Sequence, residues 1–144
     1  MRAVSLWQPW ATAIALGLKP WETRSWATSY RGPVAIHASK TPIDKALPPE
    51  LHREYRDALG WQLSLLPRGC FVAIANLVNC CRTEDVVGRL TEQELFWGDF
   101  GPGRWAWQLA NVRRLLTPLE TLGCPGLWEP PAETVHELLR RPAA

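Results

Sequence analysis

The sequence has no long apolar run. No stretch approaches the roughly 18 consecutive apolar residues that a membrane-spanning helix needs. The opening Met-Arg-Ala-Val-Ser-Leu-Trp-Gln-Pro-Trp carries neither an extended apolar core nor a small-residue cleavage site. No membrane partner and no signal peptide are therefore expected, and the expected location is cytoplasmic. Charge of one sign is also scarce: 16 Lys+Arg face 14 Asp+Glu, a formal net charge of +2. Attraction to a polyanion through bulk charge is excluded, and any nucleic-acid surface has to arise from clustering. There are only four cysteines, Cys70, Cys80, Cys81 and Cys124, and no Cys-x-x-Cys. Adjacent Cys80 and Cys81 would point to opposite sides of a strand and cannot readily share one metal. Buried free thiols are the expectation, since disulfides do not persist in a reducing cytosol. A Walker loop, a Rossmann glycine pattern, a Gly-x-Ser-x-Gly elbow and zinc-type His/Cys spacing are all missing, so no cofactor and no metal are expected.

What is present is a globular balance. Of 144 residues, 47% are hydrophobic and 21% charged, enough to bury one core. With no internal repeat and no low-complexity linker, residues 1–144 read as a single domain. Nine tryptophans are too many to hide completely in so small a fold. Some must be partly exposed, which fits either core packing or planar platforms for a flat ligand such as a base.

The pattern along the chain alternates between strand and helix signals. Ala3 to Trp7 predicts a short strand. Gln8-Pro9 then opens a helix carrying Trp10, Ala13, Ile14 and Gly17 at helical spacing, with Gly17 as its stop. From Trp21 the period falls to two, placing Glu22, Arg24 and Trp26 on one face and Trp21, Thr23 and Ser25 on the other. Val34 to Ala38 predicts a second apolar strand, residues 48–60 a helix, and Cys70 to Val78 a central strand. A Thr91-Glu-Gln-Glu94 capping box opens a short helix, Arg104 to Val112 alternates again, and residues 131–140 close the chain as a helix. Few, short, non-repeating strands with irregularly spaced helices argue for an α+β class, a small mixed β-barrel with flanking helices, rather than a doubly wound sheet.

Three ionisable residues fall within six positions: Lys19 just past a helix end, and Glu22 with Arg24 on one strand face. Lysine and arginine together can hold an anion, with the guanidinium gripping two oxygens. A glutamate beside them can act as a general base, and burial moves a lysine toward a useful pKa. The same spacing also fits a surface strand with weak ion pairs.

The stretches Leu6-Trp-Gln-Pro-Trp10, Gly17-Leu-Lys19-Pro-Trp-Glu22-Thr-Arg24 and Arg31-Gly-Pro-Val-Ala-Ile-His37-Ala resemble the ASCH domain family. Its signature, Gly-x-Lys-x-x-Glu-x-Arg, is met at Gly17, Lys19, Glu22 and Arg24. The likeness continues through residues 69–79, Arg104-Trp-Ala-Trp-Gln-Leu and Gly126-Leu-Trp128. The resemblance implies a PUA-like barrel with a cleft beside the signature. It also implies an RNA or single-stranded nucleic-acid ligand, in some members with metal-independent ribonuclease activity, and makes Lys19 and Glu22 the catalytic candidates. A compact bacterial subgroup instead removes an acyl group from N4-acetylcytidine using a lysine, a threonine and a glutamate. Lys19 matches that lysine, Glu22 stands where the threonine would be, and Glu92 or Glu94 are candidates for the later glutamate. A modified nucleoside is thus an alternative substrate, and a non-catalytic protein-interaction domain a third reading.

Further binding candidates are Gln8, whose amide could read a base edge or cap the helix; Trp10 and Trp21, as stacking faces; and His37 on the second strand, as a phosphate contact or a proton shuttle, followed by Ser39 and Lys40. Arg113-Arg114 and Arg140-Arg141 would add a phosphate track if they converged with Arg31 and Lys40. Residues 42–49 could form a flap. Nothing in the sequence sets an oligomeric state.

Overall fold

A computed structural model describes residues 1–144. Its centre is one mixed six-stranded sheet. Five strands come in chain order as β1 (Arg2–Leu6), β2 (Trp21–Arg24), β3 (Gly32–Ala38), β4 (Cys70–Arg82) and β5 (Trp105–Glu120), and the two-residue β6 (Leu127–Trp128) follows. The hydrogen-bonded order is β2-β5-β4-β3-β1-β6. Only β1 and β3 run parallel; the connection they require contains α1 (Trp10–Ala15) and β2. Register shifts in the β3–β4 and β4–β5 ladders add the local bend and twist that curl a sheet. The curl shows in one bond: Arg24 on the β2 edge donates from Nη2 to the Ser5 carbonyl on β1, four strands away in the ladder, at 2.8 Å. The result is a partial barrel, left unpaired between β2 and β6.

The predicted strands extend further than their hydrophobic patterns. Cys70 to Val78 continues to Arg82, and Arg104 to Val112 becomes a strand reaching Glu120, because these two strands pair along most of their length and carry polar residues with them. α1 is shorter than expected and buried almost all round, not on one stripe: Ala11, Ile14 and Ala15 enter the barrel core, while Ala13 packs with Leu47, Leu59, Leu63, Leu66 and Trp97 in a second cluster. Its alanines let a helix fit between two apolar masses.

The other helices are α2 (Ile43–Ala46), α3 (His52–Leu59), α4 (Thr83–Val86), α5 (Glu92–Phe96) and α6 (Ala132–Arg140). α3 ends on Gly60 at φ +79°, a left-handed position that glycine adopts without strain. Residues 42–49 hold α2 and the core residue Leu47, which anchors the segment predicted as a flap. α6 covers the outer face of the sheet through Leu138, packed with Ala3, Ala35, Phe71, Ile74 and Leu115. The predicted basic pairs do not converge on a track. Arg113 donates to the carbonyls of Leu138 and Arg141, and Arg141 to that of Thr117, so both brace α6. Of the cysteines, Cys70 is buried, its thiol pushed up to about 11 by burial. Cys80 and Cys81 are half-buried, and Cys124 is exposed because it lies on the loop before β6 rather than in the core.

Candidate functional site

The turn after α1 delivers the first functional side chain. Gly17 adopts φ +77°, and the chain folds back so that the backbone N–H groups of Leu18 and Lys19 both donate to the Ala13 carbonyl. Lys19 is thereby driven inward and is only 2% exposed. Its ammonium donates to the carbonyls of Trp21 and Trp97, each at 2.7 Å, and lies 3.4 Å from Glu22 Oε1. Burial pushes the Lys19 pKa below the ordinary lysine range, and the Glu22 carboxylate opposes that shift.

β2 then presents Glu22 and Arg24 on one face, as period two requires. Arg24 Nε donates to Glu22 Oε2 at 2.8 Å, and Glu22 Oε1 accepts the Thr23 N–H at 3.2 Å. The Arg24 guanidinium also sits over the Trp107 ring at 6.0 Å. Lys19, Glu22 and Arg24 are thus one connected row, with the carboxylate between two cations.

The row floors a cavity of about 670 Å³. Its walls include Trp7, Trp10, Tyr55, Phe96 and Trp97, and its rim carries Asp99 and Arg104. Trp7 is 46% exposed, a large apolar ring left open beside the row. Trp10 and Tyr55 meet edge-on at 5.8 Å. Arg104 is held by the Asp99 carboxylate at 3.5 Å and donates to the Thr23 carbonyl at 3.1 Å, while Thr23 Oγ1 accepts the Asp99 N–H. Three cations therefore face two carboxylates. The arrangement can grip a planar, polar ligand: indoles to stack, Arg24 to donate, and Glu22 with lone pairs left to accept from an amino group.

The predicted residues divide unevenly. Lys19, Glu22, Arg24 and Trp10 line this cavity. Trp21 does not, because alternation turns it to the opposite face. There it packs with Val86, Phe100 and Ala106, and its Nε1 donates to Glu94. Gln8 is fully buried and committed to structure: Nε2 donates to Thr12 Oγ1 and the Pro67 carbonyl, and Oε1 accepts the Thr12 N–H. Its amide caps α1 and has no edge free for a base. Glu94 spends its carboxylate on the Thr91 capping box and Trp21, and Glu92 is exposed outside the cavity; neither completes the site. The acid that does line it is Asp99.

His37, Ser39 and Lys40 lie apart from Lys19, in a second cavity of about 370 Å³ that also includes Thr121, Gly123 and Ser5. His37 Nε2 donates to the Thr121 carbonyl at 2.9 Å, which leaves Nδ1 to accept the Ser5 hydroxyl at 3.1 Å. Burial holds the imidazole pKa below its usual value. Ser5 alone belongs to both cavities.

Tyr55, Phe96, Trp97, Asp99 and Arg104 are lining residues that sequence reasoning missed. Trp7, an indole that flanks the charged row in sequence, does line the cavity. Asp99 and Arg104 belong to the glycine-rich loop and the strand start after it, so a charge pair spanning that loop was the available signal. Tyr55 read only as the inner face of a helix.

The sequence profile of the ASCH domain matches residues 4–119, which span the entire lysine-glutamate-arginine row. The chain belongs to the ASCH domain family. Among curated relatives, activating signal cointegrator 1 of Homo sapiens is 32% identical over 80 residues, covering 54% of this chain and 14% of that protein. The Mus musculus protein of the same name is 35% identical over 81 residues, with the same coverage. This ASCH chain therefore corresponds to a small part of the relatives it matches. Among solved structures, the ASCH protein of Zymomonas mobilis superposes with a TM-score of 0.61 at 16% identity, over 99% of this chain and 96% of that one. A single-residue variant of it gives 0.60 at 18% identity, over 98% and 96%. At such identities the likeness establishes the fold: the curled sheet with its helices is the ASCH architecture.

Proposed function

We propose that this ASCH domain binds single-stranded RNA by drawing one unstacked base into the first cavity, where Glu22 and Arg24 read its edge and Trp7 and Trp10 flank its ring. The observation that carries this reading is the Glu22–Arg24 pair at 2.8 Å on a floor walled by aromatic rings. Single-stranded bases are recognised by such rings together with edge-directed polar groups. A volume near 670 Å³ fits one nucleoside rather than a duplex. The near balance of charge around it supports recognition of the base over recognition of a run of phosphates. In a cleaving version of the same reading, Lys19 and Glu22 form the proton-transfer pair acting at a ribose 2′-hydroxyl.

A second reading is supported by the buried lysine itself. An ammonium enclosed beside a carboxylate in a charge-balanced pocket suits a nucleoside amidohydrolase acting on a substrate such as N4-acetylcytidine, with Lys19 as the central group and Glu22 as proton carrier.

The test combines binding and turnover. Anisotropy of a labelled single-stranded oligoribonucleotide is measured for the wild type and Trp7→Ala, with free nucleosides as competitors. Loss of one stacking face is expected to weaken binding roughly tenfold, within the 1–3 kcal/mol typical of a stacked base. Strand binding that free nucleosides cannot displace would sink the base-reading claim. In parallel, RNA and N4-acetylcytidine are incubated with the wild type and Lys19→Met. Deacylation lost in the variant, without strand binding, decides for the second reading.

A further inference from the structure

The second cavity differs from the first in its charge. Lys40 is its sole ionised lining group, and no carboxylate lines it. Burial lowers the His37 imidazole pKa, against the opposing pull of the Thr121 carbonyl, and both ring nitrogens already have partners. The backbone N–H groups of Leu122, Gly123 and Cys124, on the loop that forms one wall, donate to no acceptor in the protein. Ser39 Oγ accepts the Thr41 N–H and keeps its own proton to donate. The wall is also built to stay narrow at its base: a Cβ on Gly123 would lie 2.6 Å from His37 Cε1 and 2.8 Å from Ser5 Oγ. The aliphatic stem of Lys40 lies across Gly69, where a Cβ would come within 2.8 Å of Lys40 Cε, so the ammonium is carried by a seated stem. One cation, a free hydroxyl donor and unpaired backbone N–H groups without a competing carboxylate are the chemistry of a phosphate site.

Ser5 joins this site to the first. Its carbonyl accepts from Arg24 in the base cavity and its hydroxyl meets His37 in the second. We infer that the second cavity is a phosphate subsite that receives the backbone phosphate adjoining the nucleotide whose base occupies the first cavity. The inference rests on the base-reading proposal and extends it from one base to a strand path over the end of β1.

Lys40→Gln keeps most of the stem over Gly69 and removes the charge; Lys40→Arg restores it. Affinity for a labelled single-stranded oligoribonucleotide is measured across a sodium chloride series. Affinity for a free nucleoside and for its monophosphate is read by tryptophan fluorescence. Lys40→Gln is expected to weaken strand binding roughly three- to tenfold at low salt and to reduce the salt slope by about 0.7, the value for one phosphate contact on a single strand. Lys40→Arg should recover both, and nucleoside affinity should not move. Strand binding unaltered in Lys40→Gln overturns the subsite while leaving base reading intact. An equal loss with the free nucleoside overturns it too, as does a defect confined to the nucleoside monophosphate, which would assign the cavity to a free nucleotide. No strand binding by the wild type overturns both proposals.

Discussion

Lys19 is paired on three sides and still deprotonates more readily than an ordinary lysine, because burial outweighs the help from Glu22. The sign of the pH effect follows. Between its lowered folded pKa and the unfolded value of about 10.4, the unfolded chain binds a proton at this site that the folded chain does not, so stability rises with pH across that window and is level below it. The unfolding free energy of the wild type minus that of Lys19→Met should therefore grow with pH toward 10 in urea titrations. A difference that stays flat would mean that the folded chain holds the ammonium as well as water does. Glu22 and Arg24 were legible as a pair because period two admits little else. The same alternation already set Trp21 on the far face in the sequence, yet its closeness to Glu22 made it a stacking candidate for the wrong side of the sheet.

At the scale of one element, α5 carries weight beyond its five residues. Its Thr91–Glu94 capping box starts the turn that ends on Trp97, whose carbonyl holds Lys19. Replacing Thr91 by Ala should cost about 1 kcal/mol in denaturant unfolding, the usual value of an N-cap, and should also weaken nucleoside binding because Phe96, Trp97 and Asp99 line the cavity. Wild-type affinity in that variant would separate the cap from the site. The capping box was readable in the sequence because it is local. What it supports was not, since the bond from Lys19 to Trp97 spans 78 positions.

Across the whole molecule, the curl of the sheet decides which residues meet. Barrel class, the order of the main elements and the signature row were accessible from pattern and resemblance. The division of His37, Ser39 and Lys40 from Lys19 into separate cavities was not, because it depends on bulges and on how far β1 lies from β2 once the sheet bends. The barrel is built around α1, whose Ile14 is fully buried in the main cluster. Ile14→Ala should cost about 2–5 kcal/mol, seen as a lower urea midpoint with an unchanged slope, as expected when a single cooperative unit loses core contacts. Two separated transitions would show instead that the helix and the sheet unfold independently.

The two carbonyls that hold Lys19 have one more consequence. An ammonium whose protons are directed at Trp21, Trp97 and Glu22 can pass a proton toward an entrant only by way of Glu22. A molecule entering the cavity meets it as a stationary positive field, already oriented before arrival and shielded from dissolved salt by burial. Contacts that depend on reaching out fall to Arg24. The buried lysine favours whichever entrant brings negative charge to that one location, so it sorts entrants by where their charge lies rather than by how much they carry.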